Sequence, residues 1–170
     1  SGLVNRVDVS HFRLSIHLSL AFLILSLIFW NYLKIKNDQN IPYKISTSTP
    51  FIFLLLIFTQ IAIGAFVSGM DAGKIYNSWP LMGNTYFPND NSLINLFKLS
   101  AFSDPSLVQF IHRNLAYFIT IFYLCMLFKV YRKKISHLYK TVNMLGFFII
   151  LQIILGIFTI LHGAHMYLAA

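Results

Sequence analysis

Glutamate is absent from the 170-residue chain, and charged residues of all kinds make up only 11% of it. A soluble globular domain usually carries about 25% charged residues. Hydrophobic residues make up 57% of the sequence, whereas about 45–50% is usual for a soluble domain. The composition therefore excludes an ordinary soluble domain and indicates an integral membrane protein.

Cysteine is almost absent too, since Cys125 is the single one in the sequence. An intrachain disulfide is thereby excluded, and because Cys125 lies inside an apolar stretch we expect a small buried hydrophobic residue. The net charge of +8 could suggest a nucleic acid partner. However, the basic residues lie in short loops between apolar stretches, which is typical of membrane topology, and we predict no nucleic acid binding.

Polar segments separate four apolar stretches of the length of a membrane-spanning helix, which needs about 20 residues. These stretches are residues 14–33, 51–68, 107–128 and 142–161. Asp104 or Ser103 is placed to cap the third helix. We therefore predict an all-α polytopic membrane protein with four transmembrane helices in this chain.

The loops between these stretches differ in charge. Residues 34–49 carry three lysines and one aspartate, and residues 129–140 carry five basic residues and no acid. Residues 69–106 carry two lysines and three aspartates. Because basic loops remain on the cytoplasmic or matrix side, we expect loop 69–106 outside and the other two inside. The outer loop is rich in aromatic residues, so we expect a folded cap at the membrane surface rather than a disordered linker.

Two histidines lie near the expected outer ends of helices. His17 is about one turn inside the first stretch, with Arg13 four residues earlier on the same helix face, and His112 precedes Arg113 where the third stretch begins. Ionisable residues inside membrane helices usually mark function. A neutral imidazole can ligate haem iron, and a guanidinium can pair with a propionate. The alternative is that these residues only anchor helix ends among lipid headgroups.

A short pattern, Q-I-x-[IL]-G-x-F, occurs at residues 60–66 and again at 152–158. Both copies lie in helices expected to run in the same direction. The chain therefore reads as two hairpins, each with a histidine helix and a glutamine–glycine helix. The glycine would let a flat macrocycle approach the backbone, or would only allow close helix packing.

Several groups of residues occur in collinear order along almost the whole chain. They are Ser1-Gly2-Leu3, Val9-Ser10, Arg13-Leu14, His17-Leu18, Met70-Asp71-Ala72-Gly73, Tyr76-Asn77-Ser78, Pro80-Leu81-Met82, Asp104-Pro105 and Gln109-Phe110-Ile111-His112-Arg113. Together they resemble the haem A synthase family of the mitochondrial and alphaproteobacterial type. Trp79 stands where many members of that family have phenylalanine.

The resemblance implies an eight-helix protein built from two similar four-helix halves, of which this chain covers about the fourth to seventh helices. Residues 1–33 would be an outer juxtamembrane segment and the last helix of the N-terminal half. Residues 34–49 would be the inner loop, and 50–170 most of the C-terminal half. The segments outside the chain would hold the histidine partners of His17 and His112 and the glutamate associated with catalysis. The chain is therefore expected to be a fragment that is inactive alone.

The resemblance also implies an oxidoreductase that converts a methyl group of haem O to the formyl group of haem A, for cytochrome oxidase. His112 would ligate the iron of a haem b, with Arg113 near a propionate. His17 would ligate or line the haem O/haem A site, with Arg13 near a propionate.

Three polar residues of the outer loop, Asp71, Tyr76 and Asn77, would bind propionates or would only fold the loop. The implied surroundings are membrane lipid, in the bacterial cytoplasmic membrane or the mitochondrial inner membrane. The implied partners are haem O synthase, cytochrome oxidase assembly factors and an unidentified electron acceptor.

Two other classes of function remain open. The first is a b-type membrane cytochrome that carries electrons, in which His17 and His112 clamp one haem. The second is a non-catalytic membrane assembly protein, whose histidines lie only at the interface.

Overall fold

The computed structural model describes residues 10–36 and 48–163. Four long helices account for most of them: α1 (His11–Lys36), α2 (Ser48–Gly69), α3 (Pro105–Arg132) and α4 (Tyr139–Leu161). All four are long and apolar enough to span a membrane, and the described residues contain no β-strand. The prediction of an all-α polytopic membrane protein is confirmed. Most helices extend a few residues past their apolar stretches, because polar residues at a membrane surface can continue a helix.

The start of α3 is set by a side-chain cap. The Asp104 carboxylate accepts a hydrogen bond from the backbone N–H of Leu107 at 3.1 Å, and Pro105 occupies the first helical position. A proline is favoured there because its missing N–H would be unpaired in any case. Of the two predicted caps, Asp104 is therefore the one used, and Ser103 is not.

The helices pack in sequence order, with α1 against α2, α2 against α3, and α3 against α4. Ser15 on α1 donates to the carbonyl of Ala62 on α2 at 3.0 Å. Tyr123 on α3 donates to the carbonyl of Val142 on α4 at 3.0 Å. Polar contacts between helices thus include side chains that are buried within the described helices.

Large apolar side chains cover the outer faces of α1 and α4, where Ile28 and Phe147 are among the most exposed. Cys125 on α3 is also exposed. The expectation that Cys125 is buried was wrong, because hydropathy does not distinguish a helix face that meets lipid or another helix from one buried within these four.

The long loop, residues 70–104, joins α2 to α3 and contains three short 3₁₀ turns. It is folded against the first turns of α3. The indole of Trp79 donates to the hydroxyl of Tyr117 at 3.0 Å, and the hydroxyl of Tyr86 donates to Asn114 at 2.5 Å. The aromatic residues of this loop therefore attach it to α3.

Candidate functional site

His112 projects from α3 onto α2, where Gln60 meets it. The amide nitrogen of Gln60 is 3.3 Å from His112 Nε2, and it donates to the backbone carbonyl of His112 at 3.2 Å. One turn further along α2, a β-carbon added at Gly64 would lie 3.2 Å from His112 Cε1. The first copy of the repeated pattern is therefore the surface on which this imidazole rests.

The protonation state of this imidazole follows from the contact. An amide nitrogen only donates, so His112 Nε2 accepts and the proton of the neutral ring is on Nδ1. Among the described residues, His112 Nδ1 and Gln60 Oε1 are buried without a hydrogen-bond partner. Buried polar atoms without partners are uncommon, and they make this the strongest candidate site in the described part of the chain.

Arg113 lies next in sequence and faces the long loop instead. Its side chain is buried, with 6% of the residue exposed. Nη1 donates to the carbonyls of Ser78 at 2.9 Å and Leu81 at 3.3 Å, and Nη2 donates to the carbonyl of Tyr76 at 3.0 Å. Arg113 therefore holds the loop, and among the described residues its Nε has no partner.

Gln109 reinforces this attachment from one turn earlier on α3. Its amide nitrogen donates to the carbonyl of Tyr76 at 3.0 Å, the same oxygen that Arg113 contacts. The sequence motif had given Gln109 no role of its own. The signal was present, since Gln109 and Arg113 are four residues apart and share one helix face within an apolar stretch.

Tyr76 and Asp90 link the loop to the first turn of α3. The Tyr76 hydroxyl donates to Asp90 Oδ1 at 3.0 Å, and the Ser106 hydroxyl donates to Asp90 Oδ2 at 2.6 Å. Burial raises the pKa of the Tyr76 phenol, and the hydrogen bond to Asp90 adds to the rise. The sequence did not indicate that Asp90 and Ser106 take part in this link between the loop and α3.

The other two loop candidates are placed apart from Tyr76. Asp71 forms an exposed ion pair with Lys74 at 2.8 Å and has a left-handed backbone, with φ of 52°. Asn77 is exposed, with its amide nitrogen 3.8 Å from the β-carbon position of Gly163. The structure thus does not gather Asp71, Tyr76 and Asn77 into one cluster.

His17 and Arg13 are both exposed on α1. Ser15, between them, faces α2 through its hydrogen bond to Ala62. Residues two apart on a helix point about 200° apart, so His17 and Arg13 point away from α2. They share a helix face, as their spacing indicated.

His17 and His112 lie at about the same level along α2. α1 runs antiparallel to α2, with His11 beside Gly69 and Ser15 beside Ala62, so His17 is level with about residue 60. His112 contacts Gln60 directly. However, α2 lies between α1 and α3, and the two imidazoles do not face each other.

The whole chain, residues 1–170, matches the model of a family described as cytochrome oxidase assembly protein, COX15-CtaA. The chain belongs to this family. Similar curated relatives are each named heme A synthase. The one from Pelagibacter ubique (strain HTCC1062) is 45% identical over 166 residues, covering 98% of this chain and 49% of the relative.

Two further relatives of this family member carry the same name and match a similar share of the chain. Heme A synthase from Wolbachia sp. subsp. Brugia malayi (strain TRS) is 40% identical, covering 95% of this chain and 48% of the relative. Heme A synthase from Rickettsia bellii (strain RML369-C) is 38% identical, covering 95% and 49%. The chain spans about half the length of the curated relatives it matches. No solved structure matches it significantly.

The second copy of the repeated pattern differs from the first in this family member. Gln152 and Gly156 on α4 are both exposed, and among the described residues no atom comes within 4 Å of a β-carbon added at Gly156. The imidazole of His162 stacks on Phe158, and His165 lies outside the described residues. Residues 10–36 and 48–163 contain no group of three metal-ligating side chains.

Proposed function

We propose that this chain is the part of a haem A synthase that carries the fourth to seventh transmembrane helices. The intact protein would oxidise a methyl group of haem O to the formyl group of haem A, for cytochrome oxidase. The relatives named heme A synthase match along almost the whole chain. The observation that carries the proposal is His112, whose imidazole rests on Gln60 and Gly64 beneath an attached loop.

The residues present fit a haem ligated by His112. Its ring is neutral, its Nε2 carries a lone pair that can bind iron, and Gly64 lets the ring lie against the backbone of α2. A haem b bound there supplies redox chemistry, while the protein binds, orients and excludes water. Arg113 acts on this site chiefly by holding the long loop, and its Nε–H is left to meet a propionate.

His17 supports a second site that is separate from the first. Its imidazole and the Arg13 guanidinium are exposed on the face of α1 that points away from α2. We assign this face to the haem O/haem A site, with Arg13 near a propionate. The separation of His17 from His112 by α2 argues against an electron carrier in which both clamp one haem.

The arrangement in the membrane follows the charge of the loops. Loop 69–106, with two lysines against three aspartates, is proposed to lie outside, and loops 34–49 and 129–140 inside. The exposed apolar faces of α1 and α4 are proposed to meet further helices of an eight-helix bundle with two similar halves. In that bundle 1–33 would end the N-terminal half and 50–170 would form most of the C-terminal half. Haem O synthase and cytochrome oxidase assembly factors are the proposed partners.

The test is the haem content of the full-length protein, purified in detergent and measured as pyridine haemochromes. We expect haem b together with haem O or haem A. His112→Ala should lose haem b, and His17→Ala should keep haem b but lose the other haem. His137→Ala, in the basic inner loop, is the matched control and should keep both.

A second reading, a non-catalytic assembly protein, is favoured by the family description itself. The same measurement separates the two. A full-length protein that binds no haem would favour assembly, and a haem b that survives in His112→Ala would overturn the assignment of this ligand.

A further inference from the structure

We propose that Gln60 is a positioning residue for His112, holding the imidazole in the tautomer whose Nε2 lone pair is free to bind iron. The inference rests on the proposed function, because it concerns a haem at His112. It goes beyond that function by giving a role to a side chain on a different helix. The sequence alone shows Gln60 only as part of a repeated pattern.

The first step is the anchoring of the Gln60 carboxamide. Its Nε2 donates to the carbonyl oxygen of His112 at 3.2 Å, so the amide nitrogen, and not the amide oxygen, faces α3. The backbone of His112 thus sets the orientation of the Gln60 amide, which also contacts the His112 side chain. Among the described residues, the other end of the amide, Gln60 Oε1, is buried without a partner, so no other contact there competes to turn it.

The second step is the effect on the ring. With an N–H donor facing it at 3.3 Å, His112 Nε2 is favoured as an acceptor, and the proton is placed on Nδ1. The opposite tautomer would direct the Nε2 proton at the amide protons. Imidazole binds metals through an unprotonated nitrogen, and the hydrogen bond of the ring decides which nitrogen is free.

The third step is whether Gln60 strengthens or weakens the binding of haem to His112. An iron–Nε2 bond would replace the contact between the two Nε2 atoms. That contact, at 3.3 Å, is longer than the usual range of about 2.7–3.2 Å, so little is lost when it breaks. The same amide nitrogen donates to the His112 carbonyl, so the Gln60 side chain must turn away from the ring as iron binds. Gln60 therefore favours haem binding by ordering the free ring, and it competes only weakly.

Glycine at position 64 makes this placement possible. A β-carbon there would approach His112 Cε1 to 3.2 Å and Nδ1 to 3.8 Å. The imidazole consequently lies against the helix backbone, within reach of the Gln60 amide one turn away. At the equivalent Gln152–Gly156 pair no histidine of the described residues is in contact. The glutamine–glycine pattern alone therefore does not position an imidazole, and a histidine on the facing helix is also required.

The experiment uses full-length protein and two variants of nearly unchanged side-chain volume. Gln60→Met removes the amide donors. Gln60→Glu offers the ring an acceptor in place of a donor, which favours the tautomer with the proton on Nε2. Because Gln60 acts on the free ring, the affinity of the haem-free protein for added haem b should fall about tenfold in Gln60→Met, as for other residues that orient a metal ligand. It should fall further in Gln60→Glu. Thr59→Val, adjacent on α2 and exposed, is the matched control.

The second readout needs no haem. Nitrogen NMR of haem-free protein with ¹⁵N-labelled histidine rings, compared with His112→Gln, identifies the tautomer of His112. We expect the Nδ1-protonated ring in the wild type, a mixture in Gln60→Met, and a protonated Nε2 in Gln60→Glu. A role in packing alone would lower stability and leave the tautomer as it was.

The outcomes separate this inference from the proposed function. A wild type without haem b overturns the function, whereas a haem-binding wild type whose variants bind haem b with the same affinity overturns only the role of Gln60. An unchanged tautomer in the variants overturns it equally. If neither variant folds, the tautomer of His112 in the haem-free wild type still tests the proposal. A protonated Nε2 there would contradict it.

Discussion

His112 and Arg113 are neighbours in sequence and serve different surfaces. Successive residues on a helix point about 100° apart, so the imidazole meets Gln60 on α2 while the guanidinium meets three carbonyls of the long loop. The expectation that Arg113 lies near a propionate stays a prediction, and among the described residues its Nε–H is left unpaired for such a contact. The structure assigns to Arg113 the attachment of the loop above the site.

Arg113→Lys should loosen that attachment. A lysine ammonium lacks the planar fork and cannot reach three separate carbonyls, and each lost bond from a charged donor costs about 1.5–3 kcal/mol. We expect faster protease cleavage within residues 70–104 and a lower melting temperature in detergent. Arg132→Lys, exposed at the other end of α3, should match the wild type. Wild-type cleavage in Arg113→Lys would show that the aromatic contacts suffice.

Gly64→Ala and Gly156→Ala form a matched pair on the two copies of the repeat. The first introduces a β-carbon 3.2 Å from the His112 ring, which is closer than ordinary contact, so the ring must shift. We expect a changed visible spectrum of the bound haem b and a loss of about 1 kcal/mol in stability. Gly156→Ala meets open space in the described residues and should be neutral or stabilising, because alanine favours helix. Equal behaviour of the two variants would contradict this assignment.

At the scale of the elements, α3 is the helix on which the site depends. It contacts α2, α4 and the long loop, and its first turn is tied to that loop through Asp90 and Asp104. Asn91 donates to Asp104 Oδ2 at 2.9 Å, while Asp104 Oδ1 caps the helix. One carboxylate therefore both starts α3 and fixes the end of the loop.

Asp104→Ala should fray the start of α3. Loss of a capping side chain costs typically about 1 kcal/mol, and here the bond from Asn91 is lost as well. We expect faster amide hydrogen exchange at residues 106–108, measured by mass spectrometry. Ser103→Ala is the control, since Ser103 is exposed and does not cap the helix. Exchange accelerated in Ser103→Ala and not in Asp104→Ala would place the cap one residue earlier.

At the scale of the whole molecule, the four helices form an open row with α1 at one end and α4 at the other. Their outward faces carry large exposed side chains. Because lipid tails and apolar side chains are equally apolar, such faces suit either lipid or further helices. The chain covers about half of its relatives' length, and in the proposed eight-helix bundle part of this surface would meet the other helices.

The proposed orientation can be read with single cysteines after Cys125→Ser. In right-side-out vesicles we expect Asn84→Cys, in the long loop, to react with a membrane-impermeant maleimide. Lys133→Cys, in the basic loop, should react only after the membrane is permeabilised. Both positions are exposed, so access depends on the side of the membrane. The opposite labelling pattern would invert the topology.

The amino-acid sequence by itself determined the spans, a cap at Asp104 or Ser103, and the family. Spans depend on local hydropathy, a cap on one side chain beside a helix start, and family membership on motifs in collinear order. None of these requires knowledge of which helices are neighbours. The approximate positions of the helices and the all-α class could therefore be predicted before any packing was seen.

Tertiary structure alone decided which way the polar residues face. Gln60 meets an imidazole while its repeat partner Gln152 does not, Cys125 is exposed, and His17 points away from His112. The direction of a side chain matters only relative to what packs against its helix, and those neighbours lie tens of residues away in sequence. In a membrane the ambiguity is greatest, because a face toward lipid and a face toward protein have the same apolar composition.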